Sequence, residues 1–452
     1  MFKRIYITSC SFLFFFWMCV VMIFFEFKSY AQPVKGDSIV PLTLQQAIEM
    51  GIDCSNKLKA ANLEIEIADE NVRQKKTNKL PDINLGLDGY LINDPTLYNT
   101  TPFGDPEKID YTPYQLSGSL MVSEVIYAGN RIDNSIKREV LQKKIAESLV
   151  VKTTSEIKIT VINEYLKLFS QLKDYDITFQ TINQIELRLK TLRSKFINGQ
   201  VVKNDVSRSE LQKSDFELKL LRTVSNASST NYFLTLLLGL PENVVIQVDT
   251  SVNYSSDTLF VFEDCLLAAF NNRPEFQIAK TNKELSENTL SLVKGNYYPT
   301  INGIGLYGLQ NPVPGTFPPE GNFLSFVTIG AGINYNIASL YKTNHQKSSA
   351  ELAVQLEEEK INDLLTTLSD EVKTQFSEYE LQRQSLEIYK KQIQYAEINY
   401  KIIQSRYYND LALISDMVDA ELEYSEARLN LIKGQVQTRK EYYKLLKAIG
   451  KL

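Results

Sequence analysis

The sequence predicts an α+β protein, mostly α, in which one helix-strand-strand-long helix-helix unit of about 210 residues occurs twice, giving four strands per chain. Three observations carry this. The chain matches itself at offsets of 218 and 211, long segments show apolar residues at heptad spacing, and two helices break at a proline into short glycine-spaced strands. At the offset of 218, Leu58, Ala61, Pro81, Ile83 and Asn84 fall on Phe276, Ala279, Pro299, Ile301 and Asn302. At 211, "FINGQVVKNDVSRSELQ" falls on "YYNDLALISDMVDAELE", aligning Asp205 with Asp416 and Glu210 with Glu421. The boundaries that follow are a first repeat at 32–240, a linker at 241–262 and a second repeat at 263–452.

Residues 1–31 read as a secretory signal. Lys3 and Arg4 precede a long apolar run, and Ser29 and Ala31 have the small-residue spacing of a cleavage site after Ala31. An uncleaved membrane anchor is the alternative reading. Neither Cys10 nor Cys19 has the sequence context of a lipid-modified N-terminus. The full chain carries a net charge of −5; residues 1–31 hold Lys3, Arg4, Lys28 and Glu26, a net +2, so the remainder carries −7. There is no basic stripe for nucleic acid. Cys54 and Cys265 are the remaining cysteines, at non-equivalent places, so disulfides do not organise the fold.

In order along the chain, a first helix runs from about Leu44 to Lys79 and its counterpart from about Glu263 to Tyr297. Pro81 and Pro299 end them, because proline lacks a donor and clashes with the preceding turn. Strands are expected at about 82–92, 113–127, 300–310 and 323–338. In three of them apolar and polar residues alternate, as in Ile83, Leu85 and Leu87 against Asn84, Gly86 and Asp88; 300–310 is the least regular. Very long helices run from about Asn130 to Ile197 and Tyr341 to Tyr408, and a further helix covers about Asn204 to Leu238. Val161, Tyr165, Leu168, Leu172, Tyr175, Phe179, Ile182, Leu189 and Phe196 step by threes, fours and sevens. Val372, Phe376, Tyr379, Leu386, Ile393, Tyr400 and Tyr407 do the same. Such spacing marks a left-handed coiled-coil seam. At 1.5 Å per residue each long helix reaches roughly 100 Å, and the two shorter helices of a copy, stacked end to end, span the same length.

Strands of about ten residues with one apolar face suit a membrane barrel, although a soluble sheet shows the same alternation. Four strands cannot close a barrel, and open edges are not tolerated in lipid. Several chains would therefore pool strands, three of them making a 12-stranded β-barrel above a helical cylinder.

The duplicated "FINGQVVKNDVSRSEL" and "YYNDLALISDMVDAEL", the junctions "KLPDINL" and "YYPTING", and "VSEVIYAGNR" at the entry to the long helix resemble the TolC family of outer-membrane efflux channels, over essentially the whole chain after residue 31. The resemblance implies a homotrimer: a 12-stranded barrel in the outer membrane of a Gram-negative bacterium, continued by a periplasmic α-helical coiled-coil tunnel. It also implies partners, a periplasmic membrane-fusion adaptor and, indirectly, an inner-membrane pump. By position, Asp416 and Asp419 match the acidic ring of the family's periplasmic gate, while Asp205 and Tyr407 match contacts that hold the tip closed. An arginine of that closing network aligns with Ala412 here. Asp205 and Asp416 equally suit helix capping after a turn.

No catalytic, cofactor or metal constellation stands out. His345 is the single histidine and lies among polar residues. "GAGINYNIAS" lacks the spacing of a phosphate-binding loop, and Glu357, Glu358 and Glu359 form a helix surface run. Tyr297, Tyr298, Tyr307, Tyr114 and Tyr127 flank the strands, where amphipathic rings meet lipid headgroups or pack in a core. The expected function is a passive exit duct, with a soluble periplasmic coiled-coil scaffold or adaptor as the alternative.

Overall fold

The computed structural model describes residues 38–93, 96–98, 100–108, 112–249, 259–313 and 321–452; the signal segment at 1–31 lies outside them. The elements are β1 (Ser38–Leu42), α1 (Leu44–Cys54), α2 (Asn56–Thr77), β2 (Asp82–Leu91), β3 (Thr96–Tyr98), β4 (Pro106–Lys108), β5 (Tyr114–Tyr127), α3 (Arg131–Ile197), α4 (Lys203–Leu237), β6 (Val244–Val248), α5 (Phe262–Asn272), α6 (Pro274–Gly295), β7 (Thr300–Asn311), β8 (Leu324–Asn334), α7 (Ser339–Tyr408) and α8 (Ile414–Ala448).

Where one helix was expected from Leu44 to Lys79, there are two, broken at Ser55. The same holds for Glu263 to Tyr297, broken at Arg273, and these two positions are 218 apart. Each break has a local cause. Ser55 leaves the helix (ψ 112°) and its hydroxyl accepts from Leu58 N at 3.2 Å, an N-cap for α2. Pro274 opens α6 and forces Arg273 out of helical ψ, to 123°. The breaks are then used in packing. Gly239, at φ +66°, closes over Cys54, and Gly450, at φ +70°, closes over Asn272. At both places a Cβ would lie 2.7 Å from its nearest neighbour, so the C-terminal ends of α4 and α8 meet the broken helices only because glycine stands there.

The core follows the same duplication. Ala47, Val161, Leu168, Leu234 and Leu238 belong to one buried cluster; Cys265, Val372, Tyr379, Leu445 and Ile449, displaced by 218 or 211, belong to another. A third cluster lies toward the α3–α4 and α7–α8 turns, around Ile185, Leu189, Leu192, Phe216, Tyr400 and Met417. Along the seam, Val161, Tyr165, Leu168, Ile182 and Leu189 are buried, as are Val372, Tyr379, Leu386 and Tyr400. Tyr175 and Phe179 instead stack on each other at 5.9 Å, partly exposed.

The linker holds a strand that hydropathy alone did not suggest. β6 pairs in parallel with β1, Ser38 opposite Val244 through Leu42 opposite Val248. The Asn231 side chain clamps β6, donating to Val244 O and accepting from Ile246 N, both at 2.8 Å. The buried Tyr165 hydroxyl donates to Leu42 O at 2.7 Å and accepts from Asp249 N at 3.1 Å. Valine and isoleucine at alternate positions of β6 bury on the first-repeat core, which explains why so short a parallel pair persists.

At the other end, four strands form one antiparallel sheet in the order β2-β5-β7-β8, leaving β2 and β8 as open edges. The register places Ile83, Leu85 and Leu87 opposite Val122, Leu120 and Gly118, and Leu120 opposite Tyr307, which in turn faces Val327. One face is therefore apolar across all four strands, and it is exposed: Leu85 71%, Leu87 77%, Ile329 86%. β8 stops at Asn334, short of 338, because Asn336 turns the chain into α7: its carbonyl accepts from Ser339 N at 2.9 Å and its side chain from Ala338 N at 3.2 Å.

Candidate functional site

The end of the rod away from the sheet is made by two turns and four helix ends. Gly199 (φ +68°) takes the left-handed position in one turn and Asp410 (φ +58°) in the other. Lys195 Nζ meets Asp410 Oδ1 at 2.6 Å, tying the turns together. Asp205 and Asp416 are each the third residue of their helix and accept back from the N-cap backbone N–H, of Val202 (3.3 Å) and Leu413 (3.2 Å). Each thus satisfies an otherwise unpaired donor at the positive end of its helix. Asp416 is exposed, and its second oxygen accepts from the Ser415 hydroxyl at 3.4 Å.

Asp419 lies one turn further along α8. It is exposed and, among the described residues, makes no hydrogen bond or ion pair. Tyr407 is half-buried on α7, its ring edge-on to Tyr408 at 5.7 Å. Burial pushes its phenol up, opposed by the charge of Arg188 and reinforced by Tyr408 and Asp205. Asp205 and Tyr407 are thus brought into one electrostatic neighbourhood, while Asp416 and Asp419 share an exposed stripe of α8. Ala412 carries no charge, and the Tyr407 phenol feels the charge of Arg188 instead.

Deeper in the tip lies a polar cluster that sequence reasoning did not single out. Arg188 on α3 donates to Glu421 Oε2 on α8 at 2.6 Å and to Gln212 Oε1 on α4 at 2.5 Å; Gln212 donates to the same Glu421 oxygen at 3.3 Å. Arg188 and Glu421 are each 2% exposed. Burial pushes the Glu421 carboxyl above its ordinary range, against the opposing pull of Arg188 and Gln212. Next to the cluster, Tyr400 stacks on Tyr424 at 5.3 Å, and burial with Glu421 nearby pushes its phenol up to about 12. The signal was present: Arg188 stands three residues after Ile185, and Glu421 four after Met417, so both charges occupy core-facing helix positions.

Among the described residues, no group of three or more His, Cys, Asp and Glu could hold a metal, and no helix is long and apolar enough to cross a membrane. The latter says nothing of strands. The arrangement places charged groups at one end of a helical rod and an open apolar sheet at the other.

That combination is the fold of the outer-membrane efflux channels. Residues 266–451, in the second half of the chain, match the sequence model of the outer membrane efflux protein family. No curated protein sequence matches it. Among solved structures, the outer membrane protein VceC of Vibrio cholerae superposes with a TM-score of 0.73 at 17% identity, over 90% of this chain and 96% of that one. The outer membrane channel CmeC of Campylobacter jejuni gives 0.72 at 14% identity over 90% and 85%. The open state of the MtrE outer membrane channel of Neisseria gonorrhoeae gives 0.72 at 15% over 90% and 88%.

Proposed function

We propose that the chain is one subunit of a homotrimeric outer-membrane exit duct that receives its cargo from an inner-membrane pump through a periplasmic adaptor. The observation that carries this reading is the open four-stranded sheet with its apolar face bare. Such a sheet is a costly surface in water and an incomplete wall in lipid, since unpaired strand edges cannot remain in hydrocarbon. Three copies supply 12 strands, and the roughly 100 Å long helices continue the lumen as a tunnel. The repeats at 32–240 and 263–452, with the linker at 241–262, give the trimer its near-sixfold wall. The duct performs no covalent chemistry; energy comes from the pump.

At the tip, Asp416 and Asp419 form the acidic gate ring, and threefold symmetry sets two layers of carboxylates about one helical turn apart. Asp205 and Tyr407 are the contacts released when the tip opens. Extraction tests the whole reading: a barrel requires detergent and yields a trimer on crosslinking, whereas a soluble coiled-coil scaffold leaves the membrane fraction in high salt as a monomer. Planar-bilayer conductance tests the gate. Replacing Asp416 and Asp419 by asparagine should weaken block by divalent cations, and unchanged block would remove the two residues from the gate.

A further inference from the structure

At the base of the sheet, where β7 and β8 give way to α7, lies a polar cavity of about 310 Å³ lined by Arg131, Asn296, Thr300, Asn334, Lys342 and Thr343, among other residues, with no carboxylate in its lining. Its two cations are uncompensated. The Arg131 guanidinium is held in place by neutral acceptors only: Ala128 O at 3.0 Å, Thr300 Oγ1 at 2.9 Å and Asn296 Oδ1 at 3.4 Å. Lys342 makes no ion pair among the described residues. Thr343 is 4% exposed and lines the cavity beside Lys342. A net-acidic protein has carboxylates to spare, so two cations that share one cavity with no carboxylate form a site for an anion from outside.

The face on which the cavity opens follows from register. Thr300 pairs with Asn334. Both belong to the sheet face opposite the apolar one that carries Leu120, Tyr307 and Val327. In a closed barrel this polar face is the lumen.

The geometry points to an oxyanion site of the phosphate class in the wall of the conduit, where the barrel meets the helical tunnel. It would be repeated three times around the axis in the assembly proposed above, on which its placement in a lumen rests. A tetrahedral oxyanion offers several acceptor oxygens to a donor set of one guanidinium, one ammonium, side-chain amides and a hydroxyl, and the first turn of α7 adds a favourable dipole. The ligand is free phosphate or a phosphoryl group carried by cargo.

The test is calorimetric titration of inorganic phosphate into the detergent-solubilised full-length protein, compared with Lys342→Gln and Thr343→Val. Lys342 is exposed, so its variant keeps the fold. Native protein binds phosphate, and each variant binds roughly tenfold or more weakly; no binding by native protein, or equal binding by all three, overturns the site. Glucose 6-phosphate competing where glucose does not shows that a cargo-borne phosphoryl group is accepted. Failure of both to compete restricts the site to the free anion. Direct binding of phosphatidylglycerol by native protein that binds no inorganic phosphate assigns the cavity to lipid and overturns the inference. Because binding is read without a bilayer, its outcome is independent of whether the protein conducts. In planar bilayers, Lys342→Gln should also shift the anion-to-cation permeability ratio toward cations, while absence of any channel would count against the duct and leave the titration result standing.

Discussion

Arg188 on α3 and Glu421 on α8 form an ion pair at 2.6 Å, each 2% exposed, joined by Gln212 of α4. Three helices are tied at one point roughly 13 Å above the end of α3 at 1.5 Å per residue. A buried pair of this kind seldom adds net stability, because desolvation offsets the attraction, but losing one partner strands the other charge. Glu421→Ala should therefore cost roughly 3–5 kcal/mol, read as a lowered thermal midpoint of the solubilised protein. The double replacement Arg188→Met with Glu421→Leu should recover most of that loss. A double variant as unstable as the single one would show that the cluster is held for more than its charge balance.

The same pair has a pH signature. Because burial raises the Glu421 carboxyl, the folded chain binds that proton more tightly than the unfolded chain. Its contribution to stability is then full below the ordinary carboxyl value and is lost as pH rises through the raised one. Glu421→Gln does not titrate. The native-minus-variant difference in melting midpoint should therefore grow as pH falls from 7 toward the ordinary carboxyl range, and a difference that shrinks on acidification contradicts the assignment. The solvent-facing carboxylates that pair with lysines, such as Glu156 with Lys57, shift the opposite way but are common to both proteins and cancel.

Asp416 has two separable roles. Its carboxylate accepts from Leu413 N at 3.2 Å, a bond that asparagine can replace and alanine cannot. Asp416→Ala should cost about 1 kcal/mol of helix-start stability and alter cation block, while Asp416→Asn should alter block with little change in melting. Equal melting losses in the two variants would mean that the charge itself, not the backbone bond, holds the start of α8.

Gly450→Ala should be among the more damaging single methyl additions. Its φ of +70° disfavours any side chain, and the new carbon would lie 2.7 Å from the Asn272 carbonyl carbon. Gly199→Ala is the control, with φ +68° and nothing within 4 Å of the added carbon, so only the left-handed strain of about 1–2 kcal/mol applies. Similar melting losses in the two variants would mean that α8 does not dock against the α5–α6 break as described.

Much of this architecture was legible in residue order. Long heptads dictate long helices whatever surrounds them. The offsets of 211 and 218 show that one solution is used twice, and alternation after Pro81 and Pro299 announces strands. The helix breaks at Ser55 and Arg273 were legible in principle, through a capping serine and the proline after Arg273, but the continuous apolar pattern on either side obscured them. The β1–β6 pair was not legible, because a five-residue parallel strand exists only through a partner strand far away in sequence and the helical core on which both strands bury.

At the tip, the sequence alone determined which carboxylates stand at the starts of α4 and α8, since position after a turn fixes that role through local hydrogen bonding. Only the tertiary structure decided that Arg188 and Glu421, 233 residues apart, meet in the interior, and that Arg131 and Lys342 open onto one cavity. A charge on a helix carries no mark of its partner. Pairing depends on how helices rotate and slide when they pack, and that is set by the whole core rather than by any segment of it.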